Sequence, residues 1–191
     1  MLNPYAGNAA TFLISTVFGL YLLAVMLRFL FQVTRADFYN PFSQFIVRVT
    51  NPFLLPLRRV VPGVAGIDVA SIVLLVILQM IELWLIYWIS GYSPNVVGLL
   101  VLSIGKLLSL AFSVFFFTIL IQVIISWVNP GAYNPITSLL YSLNEPLLAP
   151  ARRLIPPISG LDLSPLVVII ALQLASYLVV APISDMGKGL L

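Results

Sequence analysis

The sequence predicts an all-α membrane protein, with four transmembrane helices set as two parallel-topology helical-hairpin repeats and a short interfacial amphipathic helix in each cytoplasmic loop. Three observations predict this. Of the 191 residues, 61% are hydrophobic and only 8% charged, where a soluble domain carries roughly 45–50% and about 25%. Four apolar runs reach the length of about 20 residues that a helix needs to cross a bilayer core. The chain also matches itself at a shift of 94 residues, the step from Arg58-Arg59 to Arg152-Arg153.

The first span is read at about 11–33, with one charge, Arg28, near its end. A signal peptide is the rival reading, but no Lys or Arg precedes the run and no small-residue cleavage site follows it. The second span is expected at about 69–90, with Trp84, Tyr87, Trp88 and Tyr92 gathered where an aromatic belt would lie. Residues 96–128 are apolar for longer than one crossing needs, so the third span is placed at about 105–127, with 96–104 as a lead-in. The fourth is expected at about 164–183.

The shift of 94 aligns Tyr39-Asn40-Pro41 with Tyr133-Asn134-Pro135, Pro56 with Pro150, Pro62 with Pro156, Gly66 with Gly160, Asp68 with Asp162, and Gln79 with Gln173. The domain organisation is therefore read as one repeat over residues 1–94 and a second over 95–191. Two crossings return the chain to its starting side, so the repeats share one orientation. That differs from the inverted repeats of many carriers.

Positive charge sets the expected orientation. The loop between spans one and two holds Arg35, Arg48, Arg58 and Arg59, and that between three and four holds Arg152 and Arg153. By the positive-inside rule both long loops are cytoplasmic and both termini lie outside. Within each loop an apolar stripe recurs at helical spacing, Phe42, Phe45, Ile46 and Val49 in one, Ile136, Leu139, Leu140 and Leu143 in the other. The stripe predicts a short helix in the interface plane, with Ser43, Gln44, Arg48 and Thr50 on its polar face. Pro52, Pro56 and Pro62 then predict an extended, stiff connector through PLRRVVPG, because proline removes a donor and fixes φ.

The paired arginines have four readings. A guanidinium fork suits an anionic lipid phosphate or a partner's acidic patch; the arginines also fix topology and snorkel, or bridge Arg to Asp to fold the loop. Asp68 and Asp162 stand where spans two and four begin, positioned to cap backbone N–H groups. With one aspartate per repeat expected at the interface rather than in a buried site, and no Gly-x-Gly-Asp context, an intramembrane aspartyl protease is not expected. Glu82 is an ionisable group at membrane depth, a functional hypothesis by default, and Lys106 is its partner by depth. Arg28, matched by Gln122, is within snorkelling reach of the cytoplasmic side. Gln79 and Gln173 read as interhelical hydrogen-bond glue.

Cysteine and histidine are both absent, so disulfides, zinc cages and histidine-ligated haem are outside the repertoire. No cofactor, metal site or nucleic-acid partner is expected. The expected partners are the bilayer, with anionic headgroups among its contacts, and a membrane protein or a second copy of the chain.

The repeated PLRRVVPGVAGID and PARRLIPPISGLD, with DFYNPFSQF at 37–45 and LDLSPLVV at 161–168, resemble the YggT family of small bacterial membrane proteins, which has plastid relatives. The resemblance covers both repeats. It implies a non-enzymatic inner-membrane protein associated with osmotic-shock resistance and envelope organisation, while plastid relatives are associated with cytochrome assembly and nucleoid distribution. A scaffold or assembly role through the Arg-Arg loops is the expectation, and an oligomeric conduit near Glu82 and Arg28 is the alternative.

Overall fold

The computed structural model describes residues 4–64, 66–129, 131, 134–155 and 162–191. Pro156 and Gly160 of the second motif lie outside the described residues, as does Tyr133. Six helices account for most of the described chain: α1 Pro4–Val33, α2 Pro41–Val60, α3 Val69–Ile89, α4 Val96–Val128, α5 Pro135–Leu154 and α6 Ser164–Gly189. Of these, α1, α3, α4 and α6 are long and apolar enough to cross a membrane. The chain is a multi-pass helical membrane protein, and among the described residues the only β-type pairing is an isolated bridge between Val64 and Ile67.

The second span begins where the sequence places it, but the other three are longer than expected. α1 starts at Pro4, α4 has no break at 104 and runs 33 residues, and α6 continues to Gly189. In α6 the extension passes through a π turn at Ser176–Val180. Pro182 follows that turn, and its ring would meet the carbonyl four residues back in a regular α-helix. Widening the preceding turn relieves the clash.

Helix starts follow their caps. Asn40 accepts from the Phe42 N–H at 3.0 Å, with Pro41 at the first helical position. Asn95 does the same for Val97, and Asn134 forms a reciprocal capping box with Thr137. Each supplies an acceptor to an N–H that the helix cannot satisfy.

The expected extended connector is corrected. α2 runs through Pro52 and Pro56 to Val60, and α5 runs through Pro146 and Pro150 to Leu154, so both arginine pairs sit in a last helical turn. Each helix carries its two prolines four residues apart, on one exposed face. The carbonyls they leave unpaired therefore open outward, while Leu54 and Leu148 on the opposite face stay buried. Only from Val61 onward does the first loop become extended. It then turns back over Val64–Ile67, where Gly66 holds φ +81°, a conformation a Cβ disfavours.

The polar face expected for α2 is also corrected. Ser43 and Thr50 point inward, whereas Phe42, Phe45, Val49 and Phe53 are exposed. The buried hydroxyls are satisfied locally, Ser43 donating to the Asp37 carbonyl and Thr50 to that of Ile46. In α5 the expected stripe does turn inward through Leu139, Leu140 and Leu143, with Ile136 left exposed.

The main core joins α1, α2 and α3 around Leu22, Val25, Met26, Leu54, Leu74 and Leu75. α4 and α6 meet differently. A Cβ at Gly98 would lie 2.8 Å from the Leu190 backbone, one at Gly105 3.2 Å from the Ser184 nitrogen, and one at Gly187 2.5 Å from the Leu102 nitrogen. Those contacts run in opposite chain directions, so the two helices are antiparallel and approach backbone to backbone, as small residues permit in membrane helices.

Candidate functional site

Each repeat closes its loop with an ion pair. Arg58, in the last turn of α2, donates from Nη2 to Asp68 Oδ2 at 2.5 Å, and Asp68 also accepts from the Ser71 hydroxyl. In the second repeat Arg152 donates from Nε to Asp162 Oδ2 at 3.0 Å and from Nη1 to both oxygens of Glu145. The Arg-to-Asp bridge among the sequence readings is therefore formed in both copies. The surroundings differ: Asp68 is 5% exposed and Asp162 38%.

The electrostatics follow. Burial works against the charge on Asp68, but the bonds from Arg58 and Ser71 outweigh it and hold its carboxyl below the ordinary carboxylate range. Burial likewise opposes the charge on Asp162, and Ser164 and Arg152 bring it below that range too. Burial lowers Arg152, but its bonds to Asp162 and Glu145 prevail and raise it.

The capping role expected of the aspartates appears in one copy only. Asp162 accepts from the Ser164 N–H at 2.9 Å. Asp68 stands at the N-cap of α3, yet its side chain makes no cap bond, because its oxygens serve Arg58 and the Ser71 hydroxyl.

The latches use only the first arginine of each pair. Arg59 and Arg153 are exposed, and neither has an ion-pair or hydrogen-bond partner among the described residues. Pro62, just beyond Arg59, is exposed as well.

Arg28 does not snorkel. It is 7% exposed, and its Nη1 donates to the Val47 carbonyl at 3.2 Å, the Thr50 hydroxyl at 2.7 Å and the Asn51 amide oxygen at 2.8 Å. It thus ties α1 to α2 one turn before Pro52. At the matched place in the second repeat, Gln122 accepts from Asn144 at 2.8 Å, and Asn144 accepts from Thr118. Thr50 and Asn144 are themselves matched by the 94-residue shift, so one cross-helix link exists in both copies with different chemistry. Sequence reasoning missed Thr50, Asn51, Thr118, Asn144 and Glu145. Part of the signal was available, since the matched pairs Arg28/Gln122, Thr50/Asn144 and Asn51/Glu145 are polar in both repeats, whereas Thr118 is matched by Ala24.

At membrane depth the expected pairs are replaced. Glu82 is buried and accepts from Gln79 Nε2 at 2.7 Å, within one helix. Among the described residues no ion pair joins Glu82 to Lys106, although both line one 300 Å³ cavity with Ser109 and Ser113. Gln79 is therefore not interhelical glue, and Gln173 is exposed on α6 beside Ser109, Ser113 and Ser176. The described residues hold no cluster of three carboxylates suited to a metal.

A concavity of about 640 Å³ lies at the loop end of the first repeat. Arg28, Arg35 and Arg58 line it together with Gln32, Ser43 and Asp68. The two repeats touch at their Asn-Pro corners, where Asn40 Nδ2 donates to the Pro135 carbonyl at 2.6 Å.

Comparison with known proteins matches residues 7–89 and again 101–183 to the CCB3/YggT family. An uncharacterized protein of Pseudomonas aeruginosa is 49% identical over 181 residues, 94% of this chain and 92% of its own length. One of Vibrio alginolyticus is 44% identical over 173 residues, covering 90% and 93%. The uncharacterized protein YggT of Escherichia coli is 39% identical over 188 residues, 96% of each. No solved structure matches.

Proposed function

The chain belongs to the CCB3/YggT family, and from that premise we propose that it is a non-enzymatic scaffold or assembly factor of the bacterial inner membrane. In this reading its two repeats, residues 1–94 and 95–191, share one orientation. The termini face the periplasm, and α2 and α5 lie near the cytoplasmic interface as the docking face. The cell process it serves is envelope organisation under osmotic stress.

The division of labour within each arginine pair carries the reading. Arg58 and Arg152 are held by aspartates, which leaves Arg59 and Arg153 as two outward guanidinium forks on rigid last turns. Exposed guanidiniums on a fixed backbone favour planar anionic groups, such as the carboxylates of a partner's acidic surface. The contact of Asn40 with Pro135 supports the shared orientation, since it brings the starts of α2 and α5 together. No observation on the described residues favours the conduit: Arg28 and Gln122 are taken up in linking helices.

The test is complementation of a strain lacking the chain with the double variant Arg59→Glu, Arg153→Glu. It is expected to insert at the wild-type level, to lose its copurifying partners and to leave hypo-osmotic survival unrestored. Full survival with unchanged copurification would sink the scaffold reading.

A further inference from the structure

We propose that the cavity lined by Arg28, Arg35 and Arg58 binds the phosphate of an anionic phospholipid headgroup, and that the second repeat has no such site. The inference stands apart from the docking role of Arg59 and Arg153, which do not line this cavity.

Arg28 supplies the first observation. Arg28 as a residue is only 7% exposed, yet every acceptor it meets is neutral, and among the described residues no carboxylate lies within ion-pair distance of it. All three bonds leave from Nη1, while Nη2 and Nε make none with a described residue. A buried charge with no directly bonded counter-ion is costly; the one carboxylate lining the cavity, Asp68, is already bonded to Arg58, and the cavity has the size of small-molecule sites. An anion placed there supplies the missing charge and receives the unused N–H groups.

Arg35 supplies the second, independently. α1 ends in a Schellman motif, with the Ala36 N–H bonded to Phe31 O at 2.9 Å and the Arg35 N–H to Gln32 O at 3.2 Å. Arg35 occupies the left-handed position of that motif, φ +54°, where glycine or asparagine is the ordinary choice. A long cationic side chain is thus held in a disfavoured backbone state, on the rim of the cavity, with no partner among the described residues.

The second repeat serves as an internal control. The 94-residue shift matches Arg28 with Gln122, Arg35 with Asn129 and Asn51 with Glu145, while Arg58-Asp68 and Arg152-Asp162 are kept. The first set of five carries three arginines and one aspartate, net +2. The second carries one arginine and two carboxylates, net −1. Glu145 also supplies Arg152 with a second carboxylate, so nothing cationic is left over. The latch is present in both copies, and among the described residues only the first copy carries the excess of arginines.

A lipid suits the site better than free phosphate because of its neighbour. Phe31 also walls a 460 Å³ groove lined almost wholly by Leu, Ile, Val and Phe side chains from α1, α4, α2 and α5. A headgroup phosphate among the arginines leaves its acyl chains beside that groove.

The experiment is native mass spectrometry of the full chain released from phosphatidylcholine nanodiscs with and without phosphatidylglycerol. Wild type is expected to retain one phosphatidylglycerol in preference to phosphatidylcholine. Arg35→Asn, which suits the left-handed turn and copies the second repeat, is expected to fold at least as stably and to retain it about tenfold more weakly. Asn51→Glu, which brings an internal carboxylate to Arg28, is expected to abolish retention in a folded protein. Arg48→Asn, at an exposed arginine that does not line the cavity, is expected to leave phosphatidylglycerol retention unchanged. Displacement by millimolar inorganic phosphate would assign the site to free phosphate with the same chemistry, and resistance to it would assign it to lipid. Wild-type retention by folded Arg35→Asn and Asn51→Glu, or equal loss in Arg48→Asn, would overturn the proposal.

Discussion

The first repeat ties its span to its loop helix through a buried guanidinium, Arg28, and the second ties the matched elements through two amides, Gln122 and Asn144. The links occupy matched positions, one joining α1 to α2 and the other α4 to α5. An amide pair is neutral and self-sufficient, so it closes without further partners. A guanidinium reaches three acceptors at once and leaves a charge behind. The latches differ in their carboxylates: Asp68 is buried against a half-exposed Arg58, whereas Asp162 stays partly in solvent and its arginine, Arg152, also recruits Glu145. The two repeats thus differ in the polar residues that join their helices, and those residues set the local charge.

The largest difference between the copies is expected at these links. Arg28→Ala strips three acceptors of their donor and leaves a cavity, and is expected to lower stability by about 2–5 kcal/mol. Gln122→Ala removes one neutral bond and is expected to lower it by about 1 kcal/mol. Thermal unfolding in detergent reads both, and equal losses would break the comparison.

Glycine packing gives the next contrast. Gly187→Val forces a Cβ into the Leu102 backbone and is expected to cost about 1–3 kcal/mol. Gly19→Ala in α1 meets nothing within 4 Å and is expected to stabilise by about 0.5–1 kcal/mol through helix propensity. The same unfolding assay separates them.

The latches differ less. Arg58→Ala leaves Asp68 buried with only Ser71 and is expected to cost about 1–3 kcal/mol, discounted because Arg58 is itself 38% exposed. Arg152→Ala, with both partners exposed, is expected to cost less than about 1 kcal/mol. The pH dependence follows from the direction of the shift. The folded carboxyl of Asp68 titrates below the unfolded one, so its contribution is complete above the ordinary carboxylate value of about 3.9 and is lost as pH falls through the folded value. The stability gap between wild type and Asp68→Asn should hold down to that range and close beneath it.

Much of this was legible in the residues. Hydrophobic length located four spans, because a bilayer core imposes a length on any helix that crosses it. The 94-residue shift exposed the duplication, and the spacing of Arg to Asp anticipated the latch. Three things were not legible. Pro52 and Pro56 read as breakers, since nothing local says that both face outward and that Leu54 behind them is buried deeply enough to hold the helix. Gly98, Gly105 and Gly187 carry no pattern in one strand of sequence; their meaning is the partner backbone they admit. Arg28 read as a snorkelling residue because its acceptors, Val47, Thr50 and Asn51, lie on another helix about 20 residues away.

The most direct test transplants one link onto the other. The double variant Arg28→Gln, Thr50→Asn gives the first repeat the amide pair of the second. If the two links are interchangeable supports that differ in the charge they leave, this chain folds with a melting temperature close to wild type and no longer retains phosphatidylglycerol. Wild-type retention of that lipid by the folded double variant would contradict the account, as would failure of the transplanted pair to support the fold.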